Sequence, residues 1–237
     1  MADFLLIHGS CHGAWCWQSV VERLHAAGHG ARAIDLPGHG DDPTPLPEVT
    51  LERYAEAILD AIDTPVVLVG HSMAGYPISL VADRAPEKIA RLVYLCAYVP
   101  ARGMSLAQMR RAGPRQPLRP AIRMASDGLS FTIDPEMAAD VFFNDCDAAT
   151  AAQAVARLGP QPVAPQEEPL TLGENWARTG KHYIRCARDN TIPPEYQLTM
   201  SAGFPEGHVS TLPASHSPFL SMPDRLAGKL IEIAETT

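Results

Sequence analysis

Val66-Val67-Leu68-Val69-Gly70-His71-Ser72-Met73-Ala74-Gly75 is the stretch on which the fold turns. A short run, apolar on both faces, meets Gly-His-Ser, and helical spacing of apolar residues then continues to Arg84. A strand apolar on both faces belongs to a sheet covered by helices on both sides. Five further β-rich runs lie at residues 4–7, 31–36, 92–98, 182–186 and 209–212, that at 31–36 the weaker. Helical spacing separates them at 17–27, 51–62 and 73–84, and a final amphipathic helix is read from Pro218 onward. Alternation of strand and helix predicts an α/β protein with a mostly parallel sheet of about six strands flanked by helices, wound right-handed. The alternation stops between residues 101 and 178, which are rich in Pro and Ala, with short helical pieces at 135–143 and 148–158 and a Pro-rich hinge at 159–165. So long an interruption between strands is usually functional. The reading is a helical cap, 101–178, inserted in a core of 1–100 and 179–237.

Strand, sharp turn and helix around a serine resemble the nucleophile elbow of the α/β-hydrolase fold. The turn lifts the hydroxyl clear of the sheet, and small neighbours let strand and helix approach. The usual pattern is G-x-S-x-G; here Ala74 holds the fifth position and Gly75 follows. Taken alone, Ser72 also reads as a plain helix cap. A serine needs a base, and the base needs an orienting carboxylate. In this fold they follow in the order Ser, acid, His. Asp189 follows the strand at 182–186, and His216 follows the strand at 209–212. Glu195 and Asp145 are alternative acids, but Glu195 falls within the next helix and Asp145 within the cap, so Asp189 is preferred.

A tetrahedral intermediate needs two fixed N–H donors. In this fold one is the residue after the nucleophile, Met73, and the other comes from the loop after the first strand, here read as Ser10. Gly9 is read as letting that loop turn toward substrate. His8 and His12 carry no third ligand nearby and no HExxH helix, so no metal is expected. His8 is read as a brace for the loop.

With 237 residues, 46% of them apolar and 19% charged, the chain is globular. A net charge of −8 argues against nucleic acid or an anionic membrane as partner. The basic run Arg110, Arg111, Arg115, Arg119, Arg123 reads as a solvated lid segment, with acidic-substrate steering as a minor alternative. Five cysteines, an odd number, imply no disulfide framework. An acidic residue directly before the first strand, and no long apolar run, leave the cytoplasm as the expected location. A homodimer is left open, and no cofactor is expected.

His8-Gly9-Ser10-Cys11-His12-Gly13-Ala14-Trp15, Gly70-His71-Ser72, Asp189…Ile192-Pro193…Glu195-Tyr196-Gln197 and Ser215-His216 together resemble the plant methylesterase and hydroxynitrile lyase family with its bacterial esterase relatives. The resemblance covers nearly the whole chain and is weakest in the cap. It implies the α/β-hydrolase fold, a small helical cap, a buried and mostly apolar pocket, and the triad Ser72, Asp189 and His216. It also separates two branches. The lyases place Thr after the first loop His and Lys after the catalytic His, to handle cyanide. Gly9 and Ser217 stand there instead, which favours the esterases.

The expectation is a serine carboxylesterase for small, largely apolar or aromatic esters, methyl esters among them. His12, Phe131, Phe142, Trp176 and Ile192 are candidate pocket residues, each equally readable as core. A hydroxynitrile lyase and a non-catalytic ligand-binding protein on the same fold are the rivals. Dehalogenases and epoxide hydrolases of this fold need Asp at the elbow, so Ser72 disfavours them.

Overall fold

A computed structural model describes residues 1–236. The chain runs β1 (Asp3–Ile7), α1 (Gln18–Ala26), β2 (Gly30–Ile34), α2 (Leu51–Asp60), β3 (Val66–His71), α3 (Gly75–Arg84) and β4 (Ile89–Leu95). The intervening segment carries α4 (Leu106–Ala112), β5 (Ile122–Met124), β6 (Ser130–Ile133), α5 (Pro135–Phe142), α6 (Ala148–Val155), β7 (Gln161–Pro162), α7 (Ala164–Glu167) and α8 (Glu174–Arg178). The main sheet then resumes with β8 (Lys181–Cys186), α9 (Pro194–Ser201), β9 (Val209–Leu212), α10 (Pro218–Ser221) and α11 (Pro223–Glu235).

Six strands form one parallel sheet in the order β2-β1-β3-β4-β8-β9. Successive side chains on a strand face opposite ways, and the core divides accordingly. Leu5, Ile7, Val66, Leu68, Leu92 and Tyr94 pack with α2 and α3. Phe4, Leu6, Val67, Val69, Val93 and Leu95 pack with α1 and α11. Most of these side chains are wholly buried, and each such Leu, Val or Phe contributes about 1.5–3 kcal/mol.

The strand order places the site. From β1 the chain moves outward to β2, then returns to β3 on the other side of β1. The loops after β1 and β3 therefore diverge from a switch point, where open α/β sheets bind ligands at the carboxyl ends of their strands.

Four local expectations are corrected. β4 ends at Leu95 rather than 98, because the backbone turns to φ 35° at Cys96, whose N–H makes a last bond to Ile184 O at 2.8 Å. Residues 72–74 form a tight 3-10 turn, and α3 begins at Gly75. The helix expected from Pro218 onward is two helices, since Pro223 opens a new one after Met222. The segment expected to be helical also contains a three-stranded sheet, β5-β6-β7, whose strands pair antiparallel. No helix among the described residues is long and apolar enough to cross a membrane.

Candidate active site

The elbow is built by close approach. Ser72 sits at φ 54°, a left-handed conformation that costs a non-glycine residue energy. Its neighbours hold it there: Tyr98 N–H donates to Ser72 O at 3.1 Å. A Cβ added at Gly75 would lie 2.0 Å from Tyr98 O, and one at Gly70 would lie 2.6 Å from Ile78 Cδ1. Gly75, one place late in the sequence pattern, thus meets the same need for space, while Ala74 is fully buried without difficulty.

Gly9 serves by having no side chain. A Cβ there would lie 2.6 Å from His71 Nδ1 and 2.9 Å from Ser72 Cβ. The loop after β1 is pressed against the elbow, and its left-handed residue is Cys11, φ 63°, not Gly9. His8 braces this loop. Its Nε2 accepts from Leu36 N–H at 3.1 Å, so Nδ1 carries the proton and donates to Gly9 O at 2.8 Å. Met73 lies in the first turn of a helix, where an N–H has no intrahelical partner. Ser10 lies on the loop pressed against Ser72, and its Oγ accepts from Gln166 Nε2 at 2.8 Å.

Asp189 and His216 meet across the ends of β8 and β9. Asp189 Oδ2 accepts from His216 Nδ1 at 2.7 Å, with both side chains buried. The carboxylate is saturated with donors: Oδ1 takes Thr191 N–H at 2.7 Å and Ile192 N–H at 2.8 Å, and Oδ2 also takes Gln197 Nε2 at 2.8 Å. The alternative acids are occupied elsewhere. Glu195 pairs with Arg115 at 2.6 Å on the surface, and Asp145 Oδ2 accepts from Ser215 N–H at 2.8 Å. His71, beside Ser72 in the chain, donates from Nε2 to His216 O at 2.8 Å, and the two rings stand 4.5 Å apart. Hydrogen bonds join Asp189 to His216 but not, among the described residues, His216 to Ser72. In unliganded enzymes that contact is commonly long.

Three of the candidate wall residues gather around this centre. Phe142 stacks on His216 with centroids 5.8 Å apart, and His12 meets Phe142 edge-on at 5.2 Å. Ile192, fully buried, shares a core with Met73 and Tyr98. Phe131 lies farther out, in the apolar cluster that contains Cys11 and Phe142. Trp176 is a correction. Its backbone N–H donates to Asp83 Oδ1 at 3.1 Å and its Nε1 to Tyr94 Oη at 2.8 Å. Asp83 lies at the C-terminal end of α3, roughly 12 Å along the helix from the elbow at 1.5 Å per residue.

Two residues that the sequence reading quoted without a role complete the geometry. Gln197 holds Asp189 and also fixes Cys186 N–H through Oε1 at 2.9 Å. His71 supports His216 through that residue's carbonyl. Their signals were the helix start after Pro193-Pro194, which aims Gln197 back at the acid, and the variable position of G-x-S.

The donor atoms of His71, Cys96 and His216 lie within 4.8 Å of one another. They do not fit a metal. Burial pushes the Cys96 thiol well up and its S–H donates to His216 O at 3.5 Å, so the sulfur does not offer the thiolate that a metal ligand must be. Cys11 is likewise pushed up by burial, to about 12, and is no nucleophile.

Known proteins place this geometry. The model of the family described as "Alpha/beta hydrolase family" matches residues 4–229. The rice (Oryza sativa subsp. japonica) esterase PIR7B is 34% identical over 98% of this chain and 95% of its own length. Methylesterase 7 of Arabidopsis thaliana is 32% identical over 98% and 96%. Among solved structures, a pyrethroid hydrolase from Sphingobium faniae JZ-2 superposes with TM-score 0.88 at 29% identity, covering 99% of this chain and 98% of that one. Polyneuridine aldehyde esterase gives TM-score 0.86 at 24% identity over 99% and 100%. A sheet switch point, a strained elbow serine and a buried Asp–His pair thus coincide with matches along almost the whole chain, which belongs to the alpha/beta hydrolase family, in the group that holds the plant methylesterases.

Proposed function

We propose that Ser72, His216 and Asp189 hydrolyse carboxylic esters through an acyl-enzyme. The chain is a carboxylic ester hydrolase, and its relatives are esterases and methylesterases. The observation that carries the mechanism is the buried 2.7 Å contact between Asp189 and His216, set behind a serine held at φ 54°. Asp189 accepts from Nδ1, which leaves His216 Nε2 as the base. It takes the Ser72 proton as Oγ attacks the carbonyl. The oxyanion forms between the Ser10 and Met73 amides, and each such donor is worth about 3 kcal/mol of barrier. His216 returns the proton to the leaving alcohol, then activates the water that frees the acid.

Phe142, Ile192 and His12 supply apolar walls, with Phe131 beyond them, and burial pushes the His12 imidazole down to about 3, so it stays neutral. These walls suit small apolar or aromatic acyl groups. The methylesterase relatives support a methyl ester as the alcohol part. The segment between β4 and β8 serves as the cap. Buried Ser217 offers no ammonium for a cyanide leaving group. The free cysteines suit a reducing cytoplasm.

The test is turnover of methyl and p-nitrophenyl esters by wild type and Ser72→Ala. The variant should lose about 10⁴-fold or more in kcat. Near-normal turnover would remove Ser72 from the mechanism.

A further inference from the structure

The cap carries arginines at 110, 111, 115, 119 and 123, and they divide into two kinds. Arg111, Arg115 and Arg123 pair with Glu167, Glu195 and Asp134 at 3.4, 2.6 and 2.5 Å, all on the surface, and Arg119 is exposed. Arg110 is half-buried, with no carboxylate within ion-pair distance among the described residues. Its Nη1 donates to Gln166 Oε1 at 3.3 Å, and its Cζ lies 5.9 Å from the Phe131 ring centroid. Burial lowers its pKa, against the opposing pull of Tyr98 and Glu167. Withdrawing a cation from water without a counter-charge costs stability, so such a group is usually completed by a ligand or serves a specific contact.

Its neighbours tie it to the reaction centre. Gln166 is buried and bridges: its Oε1 accepts from Arg110, and its Nε2 donates to Ser10 Oγ at 2.8 Å. Arg110 and the oxyanion loop therefore share one side-chain amide. Tyr98, the phenol beside Arg110, belongs to the residue whose N–H holds Ser72 O. Nη2 and Nε of Arg110 make no hydrogen bond to the protein among the described residues, and a planar guanidinium with free N–H groups matches a carboxylate.

We infer that Arg110 is a specificity-determining residue that binds a carboxylate carried by the ester's own skeleton, so that monoesters of dicarboxylic acids are preferred substrates. The inference rests on the esterase reading of Ser72. It sharpens that reading against the overall charge: a chain of net charge −8 repels anions in general, so a preference for an anionic ester requires a local cation.

The test compares monomethyl esters of malonic to adipic acid with methyl esters of monocarboxylic acids of equal carbon count. The readout is the ratio of kcat/KM between matched pairs. Wild type should favour the carboxylate-bearing member by about 10-fold or more at one chain length. Arg110→Met should bring the ratio to one or below, through KM, and Arg110→Lys should restore part of it. A wild-type ratio of one or less, or an equal ratio in wild type and Arg110→Met, overturns the inference and leaves Arg110 as a brace for Gln166. Calorimetric binding of glutarate, expected to weaken about 10-fold in a folded Arg110→Met, reads the same site without turnover. Loss of ester hydrolysis with glutarate binding intact would sink the esterase reading alone, whereas equal glutarate binding by both proteins would sink the arginine's role alone.

Discussion

His71 donates its Nε2–H to the backbone carbonyl of His216 at 2.8 Å, so the residue directly before Ser72 helps to position His216. The strand end and the base loop are thereby fixed to each other across 145 positions of sequence. His71→Leu should leave that buried carbonyl short of a strong donor, at a cost of about 1–3 kcal/mol. Urea unfolding measures this; a loss below about 0.5 kcal/mol would make the contact incidental.

Gly9→Ala tests the pressed loop. The new methyl group would meet His71 Nδ1 and Ser72 Cβ well inside contact distance, so the loop must retreat and carry the Ser10 amide with it. Loss of one oxyanion donor predicts a fall of about 10²–10³ in kcat with little change in KM. Unchanged kcat would take Ser10 out of the oxyanion site.

Gln197→Leu removes one of the two side-chain donors to Asp189 Oδ2 and leaves His216 as the other. As a positioning change it should lower kcat about 10–100-fold, move the acid limb of the pH profile and leave KM nearly constant. Asp189→Asn, which changes the imidazole's tautomer, should cost about 10⁴-fold. An unmoved pH profile in Gln197→Leu would reduce the glutamine to a packing residue.

Acid should unfold the protein early. Burial pushes His8 and His182 down to about 4 and His12 to about 3, and holds His39 and His71 well below their usual value. Each imidazole is neutral when folded and takes a proton on unfolding below its ordinary value of about 6.5. Their contribution is therefore complete above about pH 6.5 and declines as pH falls toward the folded values. Each proton adds up to about 1.4 kcal/mol per pH unit, so a slope of at least about 2 kcal/mol per pH unit is expected from pH 6 to 5. Urea midpoints across this range would show it; a flat profile would mean that these rings are charged in the folded state.

The sheet, the sharp turn at Ser72 and the meeting of Asp189 with His216 were legible because they depend on local patterns: apolar runs of strand length, a turn of small residues at Gly70 and Gly75, and polar residues placed just after strands. The end of β4 was not, because Cys96 adopts a positive φ that no local preference signals. Trp176 was misplaced for a related reason. An aromatic residue between β4 and β8 announces burial, but which end of α3 it docks on was decided by Asp83, which takes both the Gly173 and Trp176 N–H groups. The partners of the triad were hidden by distance along the chain. Asp145 and Ser215, or Arg110 and Gln166, are ordinary polar residues until the fold brings them together.

Residues 140–145, between β4 and β8, hold the loops that carry Asp189 and His216. Thr191 Oγ1 donates to Val141 O at 2.6 Å, Asn190 Nδ2 to Asp140 O at 3.0 Å, Asn144 Nδ2 to Arg188 O at 3.1 Å, and Phe142 covers the imidazole while Asp145 grips Ser215. Evolution can therefore trade the outer parts of this insertion between paralogues to alter selectivity, but a transplant that omits this short stretch would deliver a hydrolase with a new doorway and a dislocated engine. Chimeric enzymes built on this chain should keep α5 and the turn after it with the host.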